Sequence, residues 1–203
     1  MNVARKSILL ISIVLLLDQA SKIYIKLNFA LGEYVTIFDW FQILFVENPG
    51  MAFGMEIGGK LFLTLFRIVA VVALILFIRH LIKKQYSTGY ILTISLLLAG
   101  AAGNIFDSLF YGVLFSESYG MPATFLPETG GYAPFLYGKV VDMLYFPIIK
   151  NAAGQVLFFS PVFNVADSAI TVSVVTILLF FRKELNRSFE TTKKTKNNDE
   201  IQS

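Results

Sequence analysis

The sequence predicts an all-α polytopic membrane protein: four transmembrane helices, a small outer-face β platform (a β-cradle) and an outer-face loop or lid. Three observations predict it. Of 203 residues, 56% are hydrophobic and only 15% charged, whereas a soluble domain carries about 25% charged residues. Apolar runs long enough to cross a bilayer fall at about 7–28, 61–79, 90–111 and 162–182. Basic residues segregate: Arg5 and Lys6, then Arg79, Lys83 and Lys84, then Arg182, Lys183, Arg187, Lys193, Lys194 and Lys196 fall on one side of a four-span arrangement. Glu33, Asp39, Glu47, Glu56, Glu117 and Glu128 fall on the other. By the positive-inside rule both termini are cytoplasmic. Residues 1–186 then form one membrane domain, and 187–203 a charged, disordered cytoplasmic tail.

Composition also narrows the chemistry. With no Cys there is no disulfide, thiolate nucleophile or Cys-bound metal. The single His, His80, sits in a basic stretch, 79–85, that reads as a loop. A Ser-His-Asp triad and His-rich zinc chemistry are thereby removed, and an enzyme here would work with carboxylates or Lys. Nothing points to a metal, an organic cofactor or nucleic acid, and nothing requires more than one chain, so a monomer is expected. The 20 Phe and 9 Tyr suit lipid contact.

The first run begins like a signal peptide, basic and then apolar. It continues into Asp18 with no small-residue cleavage site, so it reads as an uncleaved span. Asp18 and Lys22, four apart, share a helix face and can pair. They are either an ion pair that makes insertion tolerable or part of a site. The outer-face segment 31–56 is rich in aromatic and β-branched residues and predicts short strands around 34–38 and 41–46, with Trp40 as an interfacial anchor. Asn48-Pro49-Gly50 is a turn signal leading to Ala52 and Phe53. In the second span, Arg67 is shallow enough to snorkel or to pair. In the third, Ala99-Gly100-Ala101-Ala102-Gly103 lets a neighbouring helix come close. Asn104 and Asp107, three apart, point the same way. An outer-face loop follows over 113–155. Its polar, Gly- and Pro-containing part, 113–138, is too long for a turn and predicts a lid, and residues 139–149 bring the chain back with Asp142. The fourth span opens Phe163-Asn164-Val165-Ala166-Asp167. A charge at bilayer depth costs on the order of 2.5–3.5 kcal/mol, so Asp167 reads as functional. Two plainer readings stay open: Asn164 as a helix N-cap, and Asp142 as a surface carboxylate paired with Lys139.

Counting along the spans brings Asp18, Asn48, Asn104, Asp107, Asp142, Asn164 and Asp167 to one layer just below the outer surface. A transporter more often places its ionisable groups near the midplane, open to both sides. A one-sided layer suits an enzyme acting on an outward-facing lipid or peptide. A small proton-coupled transporter and a lipid-gripping scaffold remain the alternatives.

The ordered set Asp18-x-x-x-Lys22, Asn48-x-Gly50-x-Ala52-Phe53, Gly100-x-x-Gly103-Asn104-x-x-Asp107, Val140-Val141-Asp142 and Phe163-Asn164-x-Ala166-Asp167 resembles the lipoprotein signal peptidases, the signal peptidase II family. The resemblance implies a membrane aspartyl endopeptidase of the bacterial cytoplasmic (inner) membrane, with its site near the outer face. Its substrate would be a prolipoprotein bearing a diacylglyceryl cysteine, cut just before that cysteine. It implies Asp142 and Asp167 as the catalytic dyad. Asp18, Lys22, Asn48, Gly50, Gly103, Asn104, Asp107 and Asn164 would support the dyad or position substrate. The chain departs from the family at Ser108, where the family usually has Arg; Lys139 or Arg67 is expected to supply that charge. The stretch 113–138 is also longer than the family leads one to expect.

Overall fold

In the computed structural model, the residues described are 2–49, 59–148, 151, 161–188 and 190. Four helices are long and apolar enough to cross a membrane: α1 (Val3–Asn28), α2 (Gly59–Lys83), α3 (Thr88–Leu114) and α4 (Val165–Ser188). Three of their starts, those of α1, α3 and α4, follow capping chemistry. The Asn2 side chain accepts from Arg5 N–H at 2.9 Å, and the Ser87 hydroxyl from Tyr90 N–H at 3.3 Å. Asn164 and Asp167 form a reciprocal capping box at the head of α4. The expected basic loop around His80 is helical instead, because no breaker intervenes until Gln85, whose φ of 56° ends the run.

α3 is the interior helix. The most apolar stretch of α3 is 61% buried, against 11–22% for the other three helices. Helices α1, α2 and α4 pack on α3 and turn large apolar side chains such as Leu16, Val69 and Phe180 outward. A soluble protein would hide these; lipid accepts them. The small-residue run explains the close approach. A Cβ at Gly100 would strike the Ala166 carbonyl, and one at Gly103 would fall 2.6 Å from Asp18 Oδ2. α3 then opens into a wider π-type turn over Asp107–Tyr111, a form often found where a helix is re-aimed at a site.

Three antiparallel strands sit at one end of the bundle in the order β1 (Tyr34–Phe38), β2 (Phe41–Asn48), β3 (Val140–Tyr145). The hairpin matches the expected platform; the third strand, which carries Asp142, was not expected. Val46 pairs with Asp142 and Asn48 with Val140. Asn48 and Asp142 are therefore diagonal neighbours on one face. Val140 to Met143 are buried on both faces, against β2 on one edge and α1 and the π turn across the sheet. β3 continues its pairing to the foot of α4: Leu144 N–H donates to Phe163 O at 2.7 Å, and Phe163 N–H returns to Leu144 O at 3.0 Å.

The loop after α3 is fastened along its length. Leu31 N–H donates to Ser118 O, Ala123 N–H to Lys26 O, Ala133 N–H to Gly112 O and Gly138 N–H to Ser108 O. Phe115, Ser118 and Ala123 are buried, with Phe115 in a core shared by Ile25, Phe45, Tyr111, Val141 and Met143. A second core, around Leu81, Tyr90, Ile91 and Ile94, closes the opposite end of the bundle.

Candidate active site

Lys22 is the centre of a buried polar network. It is fully buried, and its three N–H donors meet Asp107 Oδ2 at 2.8 Å, Asp18 Oδ2 at 2.9 Å and Asn104 Oδ1 at 3.0 Å. Two carboxylates offset the cation, and each is satisfied elsewhere. Asp18 Oδ1 accepts from Ala166 N–H at 2.9 Å, and Asp107 Oδ2 from Val141 N–H at 3.2 Å. Gln19 donates to both, at 3.0 Å and 2.9 Å, and accepts from the Tyr111 hydroxyl at 3.1 Å. The i,i+4 spacing on α1 and the i,i+3 spacing on α3 thus converge on one ammonium. Through Ala166 and Val141 the same network sets the head of α4 and the middle of β3. A buried ion cluster this complete holds geometry more than it adds stability.

Asn104 and Asn164 carry the network to the two predicted catalytic carboxylates. Asn104 Nδ2 donates to Asp167 Oδ1 at 2.7 Å while its Oδ1 faces Lys22 and Asn164 Nδ2. Asn164 Nδ2 donates to Asp142 Oδ1 at 2.7 Å, and its Oδ1 accepts from Asp167 N–H at 2.9 Å. One asparagine side chain therefore links the Asp142 carboxylate to the Asp167 backbone. Asn164 is an N-cap through Oδ1 and a bridge through Nδ2, so the two readings of it hold together. The Asn48 side chain also hydrogen-bonds to Asp142. Burial, and then the Asp167 carboxylate, push the Asp142 carboxyl up to about 7. Asp142 is only 3% exposed. It does not pair with Lys139. Asp167 borders an open cavity of about 440 Å³ with Pro161, Phe163, Ser168, Thr171 and Val172.

The structure thus brings together Asp18, Lys22, Asn48, Gly103, Asn104, Asp107, Asp142, Asn164 and Asp167. Gly50, Ala52 and Phe53 lie outside the described residues. Of the two cations expected near Ser108, Lys139 is held by Glu47 at 2.9 Å and Glu117 at 3.4 Å. Arg67 is the one that arrives, with Nη1 3.3 Å from Ser108 Oγ.

A second ion cluster went unread in the sequence. Lys26, fully buried, meets Glu47 at 2.6 Å and the Ser118 hydroxyl at 2.9 Å, and Lys139 shares Glu47. Both ammonium groups lie about 5 Å from the Tyr132 ring centre. Glu47 adjoins Asn48, so this cluster fixes the strand that delivers Asn48 to Asp142. The signal available was Lys26 itself, a third charge on the Asp18–Lys22 face of α1.

The family description "Signal peptidase (SPase) II" matches residues 10–182. The chain belongs to the signal peptidase II family. It is 43% identical over 187 residues to the lipoprotein signal peptidase of Porphyromonas gingivalis, covering 87% of this chain and 83% of that protein. It is 35% identical to the lipoprotein signal peptidase of Amoebophilus asiaticus, covering 84% of this chain and 75% of the other. A solved bacterial membrane enzyme, determined by the in meso method at 1.9 Å, superposes with a TM-score of 0.59 at 26% identity, over 86% of this chain and 90% of that one. A second, at 2.3 Å, gives 0.62 at 25% identity over 90% of each. Within the signal peptidase II family the chain is a bacterial membrane peptidase, and the transporter alternative is not favoured.

Proposed function

We propose that the chain is an aspartyl endopeptidase that removes signal peptides from prolipoproteins, cutting just before a cysteine that carries diacylglycerol. The observation that carries this reading is the Asn164 bridge, which ties the Asp142 carboxylate on β3 to the head of α4, where Asp167 stands. Two neighbouring carboxylates cannot both ionise cheaply, so the pair retains one proton. It rests on Asp142, which is buried and pushed up by its neighbour. Asp167, accepting from Asn104 and from the Asn164 backbone N–H, is the partner that acts as base.

Asp167 takes a proton from a water, and the resulting hydroxide adds to the scissile carbonyl carbon. Asp142 gives its proton to the carbonyl oxygen, forming a neutral gem-diol. Asp167 then protonates the departing amine nitrogen as the C–N bond breaks, and Asp142 recovers a proton from a diol hydroxyl. Both carboxyls end as they began. Asn104 and Asn164 orient the pair without adding charge, and the Lys22 network holds them.

The site lies at the sheet end of the bundle. With both termini cytoplasmic, that end faces outward from the inner membrane, where lipidated precursors present their cleavage sites. The protein acts as a monomer within the lipid.

Purified protein is incubated with a diacylglyceryl-modified precursor peptide. Cleavage before the modified cysteine is expected, with at least a thousandfold loss in each of Asp142→Asn and Asp167→Asn. Full cleavage by either folded variant would overturn the dyad. Proton-driven flux in liposomes without cleavage would overturn the enzyme.

A further inference from the structure

α2 carries Lys60, Thr64 and Arg67 at i, i+4 and i+7, which is one helix face. The two cations are about 10 Å apart along the axis. This face turns into the protein. Thr64 is fully buried and donates to Leu136 O at 3.1 Å, and Arg67 Nη1 reaches Ser108 Oγ at 3.3 Å. Lys60 Nζ is buried, yet among the described residues it has no hydrogen-bond partner. The charges that act on it are Arg67, Asp107 and Lys139. Asp107 is committed to Lys22, Gln19 and Val141 N–H, and Lys139 to Glu47 and Glu117.

Arg67 lies within the electrostatic reach of Asp167, Asp107 and Asp142, but no carboxylate among the described residues is within ion-pair distance of it. Among the described residues it makes one hydrogen bond, which uses one of its five N–H donors. Among the described residues, an ammonium and most of a guanidinium on one helix face therefore lack acceptors, with the guanidinium in the field of the dyad. Buried cations left in that state are costly, so an oxygen-rich partner is the missing component.

Resting on the peptidase reading above, we propose that Lys60 and Arg67 form a subsite for the segment of precursor just after the scissile bond. The subsite prefers acidic side chains there. α2 starts at the sheet end and runs away from it, so Lys60 lies two turns nearer that end than Arg67. A precursor whose apolar signal segment lies among the spans leaves the dyad toward the sheet end, and its downstream residues pass Lys60. A neutral segment offers these cations only carbonyl oxygens. Asp or Glu offers a full charge, which makes the shorter and stronger hydrogen bond.

Three diacylglyceryl-cysteine precursor peptides, differing only in Asp, Asn or Lys at the second and third positions after the cysteine, separate the possibilities. The Asp peptide is expected to exceed the Asn peptide about tenfold in kcat/KM, chiefly through KM, as one charge-assisted hydrogen bond would give. The Lys peptide should fall below both. In Lys60→Gln the Asp-to-Asn ratio should collapse toward one, and Lys60→Arg should restore it. Because Lys60 holds no hydrogen-bond partner among the described residues, Lys60→Gln should unfold no earlier than wild type. A wild-type ratio near one with the Asn peptide still cleaved would overturn the subsite and leave the peptidase reading intact. So would a ratio unchanged in both Lys60→Gln and Arg67→Gln. Cleavage of none of the three peptides by folded wild type would overturn the peptidase reading itself.

Discussion

Replacing Asp142 with Asn should make the protein more stable and inactive at once, by an amount that depends on pH. The carboxyl sits 3% exposed beside Asp167 and is raised from its ordinary 3.8 to about 7. Between those two values the folded protein keeps a proton that the unfolded chain releases. Stability therefore falls as pH rises through this window, by up to about 1.4 kcal/mol per pH unit, and is flat above it. Over the whole interval the sum is roughly 4 kcal/mol as an upper bound. The Asn side chain is neutral at every pH and retains an oxygen for Asn164 Nδ2, so the variant escapes this slope. Unfolding of wild type and variant in the same detergent, from pH 4 to pH 9, reads the difference. The variant's advantage should grow from about pH 4, level off above about pH 7, and be accompanied by loss of cleavage. An advantage that is constant with pH, or that shrinks as pH rises, would refute a proton resting on Asp142.

Other substitutions test the scaffold around the dyad. Lys22→Met leaves Asp18 and Asp107 buried without their cation, and unfolding measurements should show a loss of roughly 3–5 kcal/mol. Gly103→Ala places a Cβ 2.6 Å from Asp18 Oδ2; a carboxylate can shift where backbone cannot, so activity should fall more than the unfolding midpoint. Gly100→Ala meets the Ala166 carbonyl instead, and the midpoint should fall further than for Gly103→Ala. Asn164→Ala removes both cap and bridge, whereas Asn164→Ser keeps a capping oxygen. Serine should restore about 1 kcal/mol of stability relative to alanine without restoring cleavage.

The spans were legible because long apolar runs and flanking charges leave few alternatives. The pairing of Asp18 with Lys22 was legible because four residues make one helical turn. Asn104 and Asp107 were readable for the same reason. β3 was not, since a strand buried on both faces shows no alternation, and the Asp at its middle looked like a break. His80 was misplaced because a charged stretch after an apolar one resembles a loop, although nothing in it stops a helix. The meeting of Lys26 with Glu47 was not legible either. Their meeting depends on the loop after α3 wrapping over both, and no local period encodes that. Arg67 and Lys139 could be named but not ranked from sequence, because only the fold shows that Glu47 has already taken the lysine.

The backbone exchange between Leu144 and Phe163 has a consequence for how the gene can be rearranged. It ties the strand bearing one acid to the helix bearing the other directly, bypassing the residues that join them in sequence. Insertions at 152–158 should leave a working protease, and a nick placed there should leave two fragments that still assemble into one. Co-expressed halves split at that point would then complement each other, making the site a handle for regulated reconstitution.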